Sequence, residues 1–520
     1  MFANGRSAWN LATLLAAAYV LVCVHSSALL FQDYPAHLAR AVVMEDLFFH
    51  HGAQFDAAFQ YQFMIIPYIL GDLILIAAVH LFGTTAATAI WTTLTLLSLP
   101  LAVLFYLWAS RTVLDNRAIV LMLCLYLSTD WFFLLGFLNF RLAVALIIFA
   151  LALVQGLRRQ WSVGTFAGYC VLVALGYLMH LAFLVFLAAA VGATGLLRLY
   201  LRTTRLRREL AFCTPIGVVL AWHVGSSAYY PAQHEVIAAK YVWGTLHWKL
   251  RRLDWDLIRF DERVDVMFIL VLAIGLLWTI RRRLTRGALA NRDMLDMLVL
   301  ATTFLALYFV FPMTYGDPGY VDVRALALAG PCLILFAMQL QDNSTQRRSP
   351  NNRAVMAAAV FAVANLLYFW KGAAADSAWL TQYRSVVAAL PRGASVLPVY
   401  TRIREGTRFR YREVDSFAVI DRGAYIPYMF SGDQGQPMKY FRYVNRRYAP
   451  PDNWYTEASS MPVDWQAIAC DYEFLLVLKP FEPSRIGLAT KTVAESSSAT
   501  LLSVDRNLCS SVPGLTEKQG

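Results

Sequence analysis

The stretch FQDYPAHLAR, residues 31–40, sets Asp33, His37 and Arg40 just beyond the first long apolar run of the chain. An acid in that place can take a proton from an acceptor hydroxyl, and an arginine can hold a phosphate bidentately. Together they suit group transfer from a phosphorylated lipid. Similar groups recur at later loops. Asp130 precedes GFLNFR, with Gly136, Asn139 and Arg141. His180 stands alone in an apolar stretch, His234 and Glu235 lie in a longer loop, and YGDPGYVDVR carries Asp317, Asp322 and Arg324.

Each group also has a plain structural reading. Pro35 suits the first turn of a helix, which places the N-cap at Tyr34 and the helix end near Gly52. Asp33 then favours the positive end of the helix dipole. Arg40 and Glu45 read as the solvated stripe of an amphipathic helix, Arg141 and Arg324 as snorkelling side chains, and His180 as a turn histidine. Their sum favours function, because ionisable groups at membrane depth are costly and line substrate pathways.

The elements that must position these groups are membrane helices. The chain has 520 residues, of which 58% are hydrophobic and 15% charged. Its mean hydropathy is +0.50. Apolar segments fall near 9–30, 61–83, 85–108, 118–136, 140–157, 162–179, 181–197, 210–228, 266–281, 294–312, 324–340 and 354–370. Runs of about 17–25 apolar residues are transmembrane helices. The first, behind Arg6, is long for a secretory signal and reads as a retained helix. The net charge of +11 gathers in short loops, as topology requires, and no nucleic-acid motif accompanies it.

Those loops hold Arg111 and Arg117; Arg158 and Arg159; Arg198, Arg202, Arg205, Arg207 and Arg208; Arg281, Arg282, Arg283 and Arg286; and Arg347, Arg348 and Arg353. All can be cytoplasmic if 165–197 is a hairpin turning near His180 and one of the segments 61–83 and 85–108 does not span. Pro67, Gly71 and Asp72 interrupt the former, which reads as a juxtamembrane or re-entrant element. The alternative is an outside N-terminus. The preferred count is about eleven spans, with a cytoplasmic N-terminus in the plasma (inner) membrane and an external, periplasmic region from about residue 371. The polar groups above then converge on the outer boundary.

From Lys371 onward the sequence is that of a soluble domain. ASVLPVY and EFLLVLK read as buried strands, WQAIAC as a helix, and SGDQGQP and YAPPDNW as turns, which gives a small α/β domain. Five cysteines (Cys23, Cys124, Cys170, Cys213, Cys332) sit in or beside apolar spans. Cys470 and Cys509 lie in the soluble region and are expected to form a disulfide if it faces an oxidising compartment. No Cys/His spacing resembles a zinc site.

An acid after the first span, an interrupted apolar segment ending in HLFG, and many spans followed by a soluble domain together resemble the GT-C membrane glycosyltransferases. These include protein O-mannosyltransferases, aminoarabinose transferases and oligosaccharyltransferases. The resemblance implies a polyprenyl-phosphate sugar as donor and an external acceptor hydroxyl on a glycan, lipid or protein. Asp33 would be the general base of an inverting transfer. Arg324 is the first choice to bind the phosphate, with Arg40 and Arg141 as further candidates. His37, Asp130, Asn139, His180 and Asp322 complete the expected substrate-binding set. Many members carry an acidic pair where this chain has Asp33, Tyr34, Pro35 and His37. Two groups, Asp33 and His37, are too few to predict a metal. A non-catalytic protein presenting a lipid-linked glycan within an envelope assembly machine, or a lipid-glycan flippase, is the alternative. Transporters tend to carry repeated halves, and no repeat is evident here.

Overall fold

The structure, a computed structural model, describes residues 5–25, 32–52, 54–56, 59, 65, 67–109, 117–229, 241–284, 292–315, 319–342, 352–399, 413–426, 472–479 and 490–505. Its helices are α1 (Gly5–His25), α2 (Tyr34–Phe49), α3 (Ile69–Ala109), α4 (Arg117–Ser128), α5 (Trp131–Leu134), α6 (Leu138–Arg159), α7 (Val163–Met179), α8 (Ala182–Tyr200), α9 (Leu206–Tyr229), α10 (Leu246–Leu250), α11 (Glu262–Arg283), α12 (Arg292–Val310), α13 (Leu326–Asp342), α14 (Asn352–Val387) and α15 (Ser416–Arg422). Among the described residues, nine helices are long and apolar enough to cross a membrane. Two shorter apolar helices are α4, of 12 residues, and α7, of 17. The protein is a multi-pass membrane protein.

Gly71 and Asp72, expected to interrupt the second apolar segment, lie within α3, and the helix is interrupted instead at Gly83, with φ of 75° and ψ of 169°. The stretch before it, 69–82, is about 21 Å long at 1.5 Å per residue, short of the roughly 30 Å hydrocarbon core. The hairpin expected near His180 is present, since α7 ends at Met179 and α8 begins at Ala182.

The chain divides into two compact units. The first is Met1–His25, Ile65–Gly71 and Trp91–Lys371; the second is Ser26–Met64, Asp72–Ile90 and Gly372–Gly520. In the first, α6 packs on α7 and α8, α12 on α8 and α13, and α4 on α1 and α13. α6 and α13 are the central helices, with most of each enclosed by protein. At the arginine-bearing end of this unit, Arg158 pairs with Glu209 at 2.6 Å and Arg198 with Asp296 at 2.6 Å. Buried charges are tolerated when paired in this way.

Within the first unit β1 (Tyr241–Val242) pairs antiparallel with β2 (Thr314–Tyr315), and in the second a four-stranded sheet has the order β3 (Val396–Val399), β4 (Phe474–Leu478), β6 (Ala499–Val504), β5 (Thr490–Glu495). β3 and β4 are the two strands read from the sequence, and they pair in parallel. β6 pairs antiparallel with both β4 and β5. The expected WQAIAC helix lies outside the described residues, as do Cys470 and Cys509. α15 packs on α2, and Tyr425 donates to the Gln54 carbonyl at 2.7 Å. The C-terminal segment therefore braces the helix that follows Asp33.

That brace depends on Gly423, which ends α15 at φ +60° with the Gln54 side chain packed where a Cβ would stand. Gly423→Ala is expected to cost about 1–2 kcal/mol from the left-handed backbone alone, read as a lower midpoint of thermal unfolding in detergent. An unchanged midpoint would contradict the cap.

Candidate functional site

The candidate residues form separate clusters in the two units. In the second unit, Asp33 is the N-cap of α2, one residue earlier than the sequence suggested, and Pro35 sits in the first turn. Its backbone is helical in φ and ψ, and its carboxylate accepts no capping hydrogen bond. The dipole still favours an anion there. Asp33 is buried.

Arg40 overturns the solvated-stripe reading, because it is fully buried. Its guanidinium forms a salt bridge with Asp72, which lies in the first turn of α3, and reaches His37 Nδ1 at 2.9 Å. Arginine has only donors, so Nδ1 must accept and the neutral ring keeps its proton on Nε2. Burial, reinforced by the Arg40 charge, holds the His37 pKa well below the usual histidine range. At neutral pH this ring is therefore uncharged. The sequence marked Asp72 only as an interruption of an apolar run; the structure makes it the counter-ion of Arg40.

The same unit brings Glu45 Oε1 to 3.1 Å from His50 Nε2 and 2.9 Å from His80 Nδ1. Among the described residues this is the one group of three side chains able to share a metal ion. An imidazole–imidazole–carboxylate set suits a divalent cation with positions left open.

In the first unit, Asp130 and Arg141 form a buried salt bridge of 2.9 Å. Asp130 Oδ1 also accepts from the Phe133 N–H at 2.9 Å, capping α5, while Arg141 donates to the Leu127 carbonyl at 2.9 Å. Arg141 thus has an internal counter-ion, where the sequence suggested snorkelling. Burial raises the Asp130 carboxyl to about 6 despite Arg141. Asp256, which the sequence reading passed over, is pushed well above the carboxylate range by burial and by the Asp130 charge. Asn139 is buried against Gly71, whose missing Cβ makes room for the amide.

His180 caps the end of α7 and its Nδ1 accepts from the Ala182 N–H at 3.0 Å. The neutral ring must then carry its proton on Nε2, which donates to Tyr68 Oη at 3.2 Å. Arg324 Nη1 stands 3.3 Å from that same Nε2. Arg324 Nη2 also donates to the Gly319 carbonyl at 3.4 Å. The rings of Phe137 and Phe140 lie 5.4 and 5.5 Å from the Arg324 guanidinium carbon.

Asp322 is buried, accepts from the Val323 N–H at 2.9 Å and lies 3.4 Å from Lys249 Nζ. Lys249 also donates to the carbonyls of Tyr308 and Phe311 at 2.6 and 2.5 Å, closing the end of α12. No local sequence pattern sets Lys249 apart. His234, Glu235 and Asp317 lie outside the described residues.

No protein-family model matches the chain, and no curated protein matches it in sequence. Among solved structures, the chain is similar to ArnT from Cupriavidus metallidurans bound to undecaprenyl phosphate, with a TM-score of 0.54 at 12% identity. The match covers 95% of this chain and 98% of that one. The apo structure of the same protein matches with a TM-score of 0.52 and the same coverage. An oligosaccharyltransferase from Archaeoglobus fulgidus overlaps more loosely, with a TM-score of 0.38 over 78% of this chain. The chain thus shares the fold of the Cupriavidus metallidurans ArnT along nearly its whole length.

The Arg40–Asp72 pair gives a direct test. Removing one partner of a buried ion pair costs about 3–5 kcal/mol, whereas replacing both with apolar groups is often close to neutral. Arg40→Met is expected to lower the unfolding midpoint sharply, and Arg40→Met/Asp72→Leu to recover most of the loss. Additive losses in the double variant would contradict the pairing.

Proposed function

We propose that this protein is an integral-membrane glycosyltransferase that moves a sugar from a polyprenyl-phosphate carrier to a hydroxyl outside the cytoplasm. The observation that carries the proposal is Asp33: a buried carboxylate at the N-cap of a helix braced by the C-terminal segment. The ArnT-like fold supports the donor class, since that protein was solved with undecaprenyl phosphate bound.

The chemistry follows from the residue types. Asp33 takes the proton of the acceptor hydroxyl as its oxygen attacks the anomeric carbon. The bond from that carbon to the phosphate oxygen breaks, the electron pair leaves with polyprenyl phosphate, and the anomeric centre inverts. Arg324 faces the proton-bearing Nε2 of His180 and is the proposed ligand of the leaving phosphate, whose growing charge is where stabilisation counts most. Neutral His37 contributes an Nε2–H donor toward the sugar or acceptor. Asp130, Asn139, Arg141 and Asp322 are further substrate-binding candidates, with Asp130 and Arg141 acting as a fixed dipole. In this reading the protein lies in the plasma (inner) membrane with the C-terminal domain outside.

Asp33→Asn is expected to lower kcat by about 10²–10⁴-fold, the usual contribution of a general base, while donor affinity and the unfolding midpoint stay near wild type. Arg324→Gln should instead weaken donor binding. The measurement is sugar transfer by the purified variants from a panel of polyprenyl-phosphate sugars, paired with a lipid-binding titration. Wild-type turnover in Asp33→Asn would remove Asp33 from the base role.

A further inference from the structure

A cavity of about 760 Å³ lies at the opposite, arginine-bearing end of the first unit. It is lined by Trp161, Arg202, Thr203, Thr204, Arg205, Arg207, Arg208 and Ala211. The positive-inside rule explains why arginines occur in this loop, but it does not require four of them to line one cavity.

The local charge balance makes the cavity unusual. Glu209 is held by Arg158, and Asp293 and Asp296 by Arg159 and Arg198. Among the described residues no carboxylate pairs with Arg202, Arg205 or Arg207. Arg207 and Arg208 also sit in the first turn of α9, where the helix dipole disfavours cations and favours an anion. Arg208 is fixed by donation to the Arg158 carbonyl at 3.1 Å and by the Trp161 ring at 5.8 Å. The Thr204 hydroxyl is buried and has no hydrogen-bond partner.

The cavity's flanks are apolar and exposed: Val163, Tyr200, Leu201, Leu206 and Leu210 all turn outward at the ends of membrane helices. Acyl chains fit beside such flanks, whereas a soluble anion would gain nothing from them. We infer that this cavity binds the phosphate headgroup of an anionic phospholipid in the adjacent leaflet, cytoplasmic by the charge of its loops. Basic pockets between membrane helices on that side have the charge and shape for such headgroups. The arginines supply charge-assisted, bidentate hydrogen bonds to phosphate oxygens, and Thr204 supplies a further hydroxyl donor. Trp161, which stands just before α7, carries a ring of the kind favoured at a membrane interface.

The test uses the full-length protein and native mass spectrometry with cardiolipin or phosphatidylcholine added. Wild type should retain cardiolipin in preference to phosphatidylcholine. Arg202→Gln/Arg205→Gln/Arg207→Gln should weaken that retention by about fivefold per arginine removed, and Arg281→Gln/Arg282→Gln, at the basic end of α11, should leave it unchanged. If the triple variant fails to fold, each single variant gives the same reading at a smaller scale. Equal retention of both lipids by wild type, or equal loss in the control variant, would overturn the site. Displacement of cardiolipin by inorganic pyrophosphate, with tight pyrophosphate binding to delipidated protein, would assign the cavity to a soluble phosphate and overturn the headgroup.

Discussion

A guanidinium that reaches no water must find its counter-charge inside the protein, and Arg40 finds it in Asp72. Desolvating both charges costs several kcal/mol, which only close pairing and further hydrogen bonds offset. That requirement ties α2 to the start of α3 and sets the His37 ring, which accepts from the same guanidinium. Asp33, one turn before His37, is placed by the same helix. The position of the proposed base is thus a consequence of where one buried charge can be neutralised.

The same rule governs the first unit. Asp130 with Arg141, Asp322 with Lys249 and Arg259 with Asp265 are all buried pairs between elements that the apolar pattern alone would leave unordered. Each pair also accepts from, or donates to, the backbone at a helix end or a turn, so it fixes local geometry as well as charge. The Arg324 guanidinium instead lies 3.3 Å from His180 Nε2, donates to the Gly319 carbonyl at 3.4 Å and stands beside the rings of Phe137 and Phe140.

The membrane helices were legible because apolar length is a one-dimensional property, as was the turn at His180; the helix break was expected at Pro67, Gly71 and Asp72 and falls at Gly83. The strands within ASVLPVY and EFLLVLK were equally plain from their apolar runs. Pairings were not. Asp72 read as a flaw in an apolar segment because nothing in the local sequence names Arg40 as its partner. Asp130 and Arg141 were seen as two independent candidates, and Asp256 and Lys249 lacked any local pattern to set them apart. The N-cap fell on Asp33 rather than Tyr34, since one residue at a helix start is below what Pro35 can specify.

The central claim is that the protein breaks the bond between a sugar and its lipid phosphate, rather than only holding the lipid. The most direct measurement is release of polyprenyl phosphate from a panel of polyprenyl-phosphate sugars by purified wild-type protein in nanodiscs, with and without acceptor. The account predicts release with one donor, dependent on acceptor and accompanied by an inverted anomeric linkage in the product. Saturable donor binding with no release from any donor would contradict it.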